Sequence, residues 1–306
     1  MQYMIYQIIN DNIITFCIFV FFIGACLASF FNVYSLRYMR IIEKKNAQEV
    51  FEWFNEMGVS SPVVIVDKMN QAISLSFPSS HCGSCKTPLR WYHNIPIISW
   101  CILRGRCGFC GAEISKQYPI VEFFGGVLAV VCTYLFYIKN INSSQEIMHV
   151  YLAMMFFTFV TYLLMVIDWK TMFLPDELNY VLLWAGLLFI ILNINPFGIT
   201  LEEAVVASML SYLLFWTIAT VGRKLKGCDV MGSGDLKLVA AISTFIGISG
   251  VASTIFLASF IGILFWFISG RNKGAFPFGP SLIFAAWINV CLLALLQKDV
   301  VGIILS

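Results

Sequence analysis

Long apolar runs separated by short polar segments make up most of the chain. A transmembrane helix needs about 20 predominantly apolar residues, and somewhat shorter segments can also span a bilayer. By this measure the pattern predicts eight transmembrane helices. The sixth and seventh are contiguous, and we expect the turn between them at Gly247 and Gly250. The predicted segments lie at about 13–36, 120–138, 148–167, 178–194, 202–222, 235–250, 251–270 and 279–297.

The composition supports an all-α polytopic membrane protein. Of the 306 residues, 59% are hydrophobic and only 12% are charged, whereas soluble domains carry about 25% charged residues. Residues 1–12 contain no Lys or Arg, and a cleaved signal peptide begins with a basic segment. We therefore expect a retained first transmembrane helix within 1–36, a hydrophilic insert at 37–119 and a seven-helix transmembrane bundle at 120–306.

The basic residues are distributed unevenly between the two sides of the predicted helices. With eight spans, 17 of the 19 Lys and Arg residues fall on the side of the insert. Cytoplasmic loops of membrane proteins are enriched in Lys and Arg. The insert is therefore predicted to be cytoplasmic, with the N-terminus outside.

Two aspartates stand at the edges of apolar runs. Asp168 ends the third predicted span, and Asp235 opens the sixth directly after Gly232-Ser233-Gly234. Both edges face the cytoplasm in this topology, so the two carboxyl groups could meet. An ionisable group at a membrane segment is costly and indicates function, and paired carboxylates can share a proton and activate a water. Glycine would let an extended substrate approach the backbone closely.

Simpler interpretations of these segments stay open. Gly-x-Gly-Asp can be a flexible loop that ends in an aspartate at a helix N-cap, and Asp168 can mark an ordinary helix end. Asp176 follows Pro175 at the predicted start of the next helix. We therefore place Asp176 outside the aspartate pair.

The insert contains two C-x2-C pairs, separated by 21 residues. Four thiolates in two such pairs form a closed tetrahedral zinc site, although the usual separation is about 15 to 20 residues. Disulfides are disfavoured in the cytoplasm, so a metal is favoured over disulfide bonds. We predict a structural zinc ion that stabilises a small domain. The predicted ligands are Cys82, Cys85, Cys107 and Cys110.

Short motifs follow one another along almost the whole chain. They are Ser29-Phe30-Phe31-Asn32-Val33 with Arg37, the two cysteine pairs, Tyr118-Pro119-Ile120-Val121-Glu122, Ile167-Asp168, Leu174-Pro175-Asp176, Gly232-Ser233-Gly234-Asp235-Leu236-Lys237 and Pro277-Phe278-Gly279-Pro280. In this order the motifs resemble those of the bacterial type IV prepilin peptidases, also called leader peptidase/N-methyltransferases, which are intramembrane aspartyl proteases of the Gly-x-Gly-Asp type. One departure is Ala28, where a glycine often precedes the serine.

The resemblance implies an aspartyl endopeptidase of the bacterial inner membrane, with Asp168 and Asp235 as the catalytic pair. Such enzymes remove the basic leader of a type IV prepilin, or of a type II secretion pseudopilin, after a glycine at the cytoplasmic face. Many then methylate the new N-terminal amine with S-adenosylmethionine. Prepilins and membrane lipid are the expected partners, and nucleic acid is not. The sequence assigns no residues to the methyl donor.

Glu122 lies two or three residues into an apolar run, so we expect it to face the bundle interior or a wet cavity. It could bind substrate, aid methyl transfer or make a polar contact between helices. Lys237, Gly232 and Gly234 are further supporting candidates.

Two other functions stay open. One is an aspartyl protease without methyltransferase activity. The other is a non-catalytic membrane assembly factor or transporter with a zinc-binding cytoplasmic domain. The acids of transporters usually lie near the middle of the membrane, whereas the two aspartates are predicted at span ends.

Overall fold

The computed structural model describes residues 12–58, 66, 79–138, 147–228, 231–269 and 277–296. In these residues the regular structure is helical, with two isolated β-bridges and no β-strand. A 3-10 turn lies at Trp91–Asn94, and a π-helical turn at Tyr134–Ile138 follows α3. The helices are α1 (Ile13–Glu56), α2 (Ile98–Ile102), α3 (Gln117–Thr133), α4 (Ile147–Thr171), α5 (Asp176–Ile191), α6 (Leu201–Lys226), α7 (Ser233–Ser269) and α8 (Gly279–Leu296).

Five of the described helices, α1, α3, α4, α6 and α7, are long and apolar enough to cross a membrane, and α8 is a shorter apolar helix. Each of the eight predicted apolar runs lies largely on a helix. Large apolar side chains face outward on these helices, such as Phe19, which is 62% exposed. Such a surface suits lipid, and a helix satisfies its backbone hydrogen bonds internally there. The all-α polytopic class is therefore confirmed, while the number of eight spans stays a prediction.

The chain divides into two compact units, Asn12–Val130 and the part from Val131 onward. In the first unit, α1 and α3 approach closely at small residues. A Cβ added at Gly24 would lie 2.5 Å from the Cβ of Ala129, and small residues permit this approach in a bilayer. Helix α1 runs unbroken to Glu56. The end of the first span predicted near residue 36 thus falls inside one helix.

In the second unit, α7 is the central helix and packs against α5, α6 and α8. Phe157 of α4 and Phe245 of α7 lie in the core with ring centroids 4.7 Å apart. The indole Nε1 of Trp287 donates to Thr161 Oγ1 at 3.0 Å, so a buried polar group is paired across two helices. The two aspartates lie at helix ends next to this core, at the end of α4 and the start of α7.

Helix α7 is interrupted at Gly247, where φ is 69° and ψ is −173°. This position is one of the two glycines expected to separate the sixth and seventh apolar runs. On one side of the break, Asn195 Nδ2 donates to the carbonyl oxygen of Phe245 at 3.1 Å. On the other side, Glu203 Oε1 accepts from the backbone N–H of Ile248 at 3.4 Å. Side chains thus satisfy backbone groups that the interrupted helix leaves without helical partners.

Candidate active site

Asp168 lies in the last turn of α4 and is only 4% exposed. Its Oδ2 atom is buried, and the backbone N–H of Gly279 is close enough to stabilise the carboxylate. A Cβ added to Gly279, the first residue of α8, would lie 2.5 Å from that oxygen.

Asp235 lies in the first turn of α7 and is partly exposed. Its backbone N–H donates to the carbonyl oxygen of Gly232 at 3.3 Å, and a Cβ added to Gly232 would lie 3.5 Å from Asp235 Oδ2. The carboxyl groups of Asp235 and Asp168 are close enough to interact electrostatically. The fold therefore brings together the two aspartates that the sequence singled out.

Leu174 packs between Gly234, which precedes Asp235, and Gly279, which lies against Asp168. Its side chain is 5% exposed. A Cβ added to Gly234 would lie 2.8 Å from Leu174 Cβ, and one added to Gly279 would lie 3.4 Å from Leu174 Cδ1. Sequence reasoning assigned no role to Leu174 or Gly279. The available signals were their places in the Leu-Pro-Asp and Pro-Phe-Gly-Pro motifs.

Asp176 begins α5, as its position after Pro175 predicted. It forms a salt bridge with Lys237, whose Nζ donates to Asp176 Oδ2 at 2.6 Å. The same ammonium group lies 5.8 Å from the centroid of the Tyr180 ring. Lys237, a predicted supporting residue, thus links the first turns of α5 and α7. This ion pair engages Asp176 separately from the aspartate pair.

The sulfur atoms of the four predicted zinc ligands lie within 4.8 Å of one another. Cys82 Sγ and Cys110 Sγ are 3.8 Å apart, and a tetrahedral ion with Zn–S bonds of about 2.3 Å separates its sulfurs by about 3.8 Å. The two cysteine loops also repeat one hydrogen-bond pattern. The N–H of Cys82 donates to Thr87 O at 3.0 Å, and that of Cys107 donates to Ala112 O at 2.8 Å. This four-cysteine cluster could hold a metal ion.

Hydrogen bonds prepare two of these thiols to act as anionic ligands. Thr87 lowers the pKa of Cys85 to about 6, and the backbone N–H groups of Phe109 and Cys110 lower the pKa of Cys107. A backbone hydrogen bond from Ala112 lowers the pKa of Cys110, but contacts with the neighbouring sulfurs outweigh it and raise that pKa to about 11. A cation would relieve this crowding of negative charge. The donor set therefore fits a soft divalent metal.

Glu122 lies in the second turn of α3 and is 7% exposed. Its Oε2 accepts from the backbone N–H of Ile97 at 2.7 Å, and it also hydrogen-bonds the side chain of Ser29 on α1. One of the roles considered for Glu122, a polar contact between helices, is thus present. These partners also hold its carboxylate in one position, which a binding role requires.

Comparison with known proteins places the chain in a family. The model of the Bacterial Peptidase A24 N-terminal domain matches residues 22–136, and that of the Type IV leader peptidase family matches residues 154–267. The "Prepilin leader peptidase/N-methyltransferase" of Neisseria gonorrhoeae is 32% identical over 267 residues, which cover 87% of each chain. The protein of that name from Aeromonas hydrophila is 33% identical over 88% of each chain. The one from Stutzerimonas stutzeri is 31% identical over 92% of each. No solved structure gives a significant match. With these matches, the chain belongs to the type IV leader peptidase family.

Proposed function

We propose that this protein is a membrane aspartyl endopeptidase that removes the leader of type IV prepilins or pseudopilins and then N-methylates the new N-terminus. The observation that carries the proposal is the approach of the Asp168 and Asp235 carboxyl groups at adjoining helix ends, close enough to interact electrostatically, with Asp168 buried. The names of the relatives, which cover most of this chain, support both reactions. The family match favours this function over a non-catalytic assembly factor or transporter.

Asp168 and Asp235 act as a pair in peptide hydrolysis. Two carboxyl groups held close together do not both ionise, so one keeps a proton while the other accepts a proton from a water. The water oxygen attacks the carbonyl carbon of the bond after the leader glycine, and the C–N bond breaks as its nitrogen takes a proton from the carboxylic acid. The titration belongs to the pair rather than to either residue.

The segment before Asp235 provides the approach for the substrate. Gly232 is exposed, and a glycine backbone can lie close to a second extended chain. Gly234 is held against Leu174, which positions the start of α7. An extended prepilin segment would pass along this backbone, with the scissile bond next to the two carboxyl groups.

The second reaction adds a methyl group to the amine that cleavage releases. S-adenosylmethionine supplies this group as an activated methyl. The amine nitrogen, after losing a proton, forms the new N–C bond as the S–C bond breaks with its electron pair going to sulfur. The support for this activity is the name of the relatives, which are N-methyltransferases as well as leader peptidases.

The four-cysteine cluster holds a structural zinc ion in this proposal. The distances between its sulfurs and the lowered pKa of Cys85 support a closed metal site. A closed four-thiolate site leaves no open position for a catalytic water. The metal would therefore stabilise the insert at 37–119 rather than take part in cleavage.

We also propose a topology. Eight helices span the bacterial inner membrane, one within 1–36 and seven within 120–306, and the N-terminus lies outside. The insert and the active site face the cytoplasm. The support is that 17 of the 19 basic residues fall on this side.

The test is a mass measurement of a candidate prepilin incubated with proteoliposomes that contain the protein. Wild type should remove the leader, and the product should gain the mass of one methyl group only with S-adenosylmethionine. Asp168→Asn and Asp235→Asn should each abolish cleavage. Asp176→Asn is the matched control and should keep most activity, because Asp176 lies outside the aspartate pair and a partly exposed ion pair contributes only about 1 kcal/mol.

Near-normal cleavage by either Asn variant of the pair would remove that residue from the mechanism. Cleavage by wild type without added methyl mass would instead support a peptidase that lacks the second activity.

A further inference from the structure

A cavity of about 640 Å³ lies in the first unit, between α1, the two cysteine loops and the start of α3. Sites for small molecules have volumes of about 300 to 1,000 Å³. The proposed peptidase mechanism uses residues of the second unit and none of those that line this cavity. The cavity is therefore a second candidate site in the molecule.

The wall of this cavity carries charges of both signs. The buried Glu122 contributes a carboxylate from α3, and Arg37 and Arg40 contribute guanidinium groups from α1. A carboxylate binds an ammonium group through charge-assisted hydrogen bonds, and a guanidinium group matches a carboxylate in a bidentate geometry. The cavity thus offers groups of both charges to a zwitterionic ligand.

Aromatic side chains line the same cavity, among them Trp100, Phe109 and Tyr118. The ring of Trp100 is fixed on two sides. Its Nε1 donates to the carbonyl oxygen of Ile114 at 3.2 Å, and a Cβ added to Gly105 would lie 2.8 Å from Trp100 Cζ2. Stacking on aromatic side chains is a general way to bind a nucleobase. This wall therefore suits an adenine ring.

A strained turn holds the carboxylate of Glu122 in place. Ile97 has φ 62° and ψ −51°, and Ile98 N–H donates to Pro96 O at 2.5 Å. These angles and this hydrogen bond define a γ-turn with a positive φ at its central residue, which is a rare and strained conformation. The central residue here, Ile97, is β-branched. The turn directs the N–H of Ile97 to Glu122 Oε2. Backbone strain of this kind clusters at functional sites.

We infer that this cavity binds S-adenosylmethionine, with the carboxylate of Glu122 as the contact for the ammonium group of the ligand. The inference rests on the proposed methyl transfer. The basic leader of a prepilin is a poorer occupant, because three basic residues, Arg37, Arg40 and Lys86, line the cavity against two acidic ones, Glu113 and Glu122, and like charges repel.

The test is isothermal titration of S-adenosylmethionine into the purified full-length protein. Glu122→Gln and Val33→Trp, which fills the cavity from α1, should each weaken binding about tenfold or more. The matched controls are Glu52→Gln and Phe30→Trp, which introduce the same side chains at exposed positions on α1. Both should keep wild-type affinity. The metal content of each variant reports whether the insert has folded.

Photo-crosslinking of radiolabelled S-adenosylmethionine to wild type gives a second measurement that needs no variant. Label is expected in peptides that contain cavity residues such as Trp100 or Tyr118. Label confined to the part of the chain after Val131 would overturn the inference. Unchanged affinity in both cavity variants would overturn it as well, even where methylated pilin is still produced.

Other outcomes separate this inference from the proposed function. Wild type that cleaves prepilin but neither binds nor uses S-adenosylmethionine contradicts the methyltransferase activity itself, and this inference with it. A Val33→Trp variant with a raised KM for prepilin and unchanged affinity for S-adenosylmethionine assigns the cavity to the peptide, which contradicts the inference alone.

Discussion

At the scale of single residues, glycines lie next to the two carboxyl groups, and their lack of a side chain leaves room for the carboxylates. Gly232 and Gly234 stand beside Asp235 in the sequence, and their importance is visible from that spacing. Gly279 is remote from Asp168 along the chain, yet its backbone lies against the Asp168 carboxylate. The size of the residue at position 279 therefore controls where that carboxylate can sit.

Gly279→Ala should lower kcat/KM for leader cleavage about tenfold or more. The added Cβ would lie 2.5 Å from Asp168 Oδ2, so the carboxylate must move, and a misplacement of about 1 Å can cost a hundredfold in rate. Ser249→Ala, at an exposed position beyond the break in α7, is the comparison and should keep wild-type activity. Assays of both variants in proteoliposomes decide, and equal rates would contradict this geometry.

At the scale of elements, the interruption of α7 shows how an apolar run longer than one span is divided. The run from residue 235 to residue 270 contains no proline or charged residue after Lys237, so hydropathy alone marks no boundary within it. Gly247 provides a left-handed conformation that few other residues adopt. Asn195 and Glu203 then satisfy backbone groups on either side of the break.

Gly247→Ala should destabilise the protein by about 1 to 2 kcal/mol, because an L-residue is strained at a φ of 69°. The added Cβ would also meet the Glu203 carboxylate. Ser249→Ala, at an exposed position two residues later, should change stability by no more than about 0.5 kcal/mol. Thermal unfolding in detergent measures both, and a Gly247→Ala midpoint equal to that of wild type would show that the break needs no glycine.

At the scale of the whole molecule, the chain combines two units with different sources of stability. The part from Val131 onward has a large apolar core around α7. Within the unit Asn12–Val130, the segment with the cysteine loops has short helices, and its described side chains include few that are fully buried. A domain of this size commonly needs a metal or another covalent or coordinate constraint.

The metal prediction concerns the Cys82→Ser and Cys85→Ser double variant. It should lose about one equivalent of zinc, because a closed site needs all four thiolates, and proteolysis of the insert should become faster. Cys101→Ser is the matched control, since Cys101 is an exposed cysteine outside the four-cysteine cluster. Elemental analysis of the purified proteins measures the metal, and an unchanged content in the double variant would refute the site.

The topology prediction concerns the loops on either side of α6. With eight spans and an outside N-terminus, the loop after α5 lies outside and the end of α6 lies in the cytoplasm. Alkaline phosphatase fused after Ile194 should be active, and the same enzyme fused after Lys226 should be inactive, because it folds only outside the cytoplasm. The reverse pattern would contradict the proposed orientation, and activity of both fusions would contradict the number of spans.

The sequence by itself determined the helical class, the approximate positions of the apolar helices and the two aspartates that the fold brings together. These features are local, since a membrane helix needs a continuous apolar run and an ionisable residue at its edge is conspicuous. The spacing of the four cysteines likewise predicted a cluster, and their sulfurs lie within 4.8 Å of one another.

Only the tertiary structure decided what surrounds these residues. It placed Gly279 and Leu174 against the aspartate segments, paired Asp176 with Lys237, and joined Glu122 to Ile97 beside a cavity. Each of these contacts joins residues that are far apart in the chain. No local pattern encodes such contacts, because they depend on how several helices pack at once and on how closely small residues let them approach.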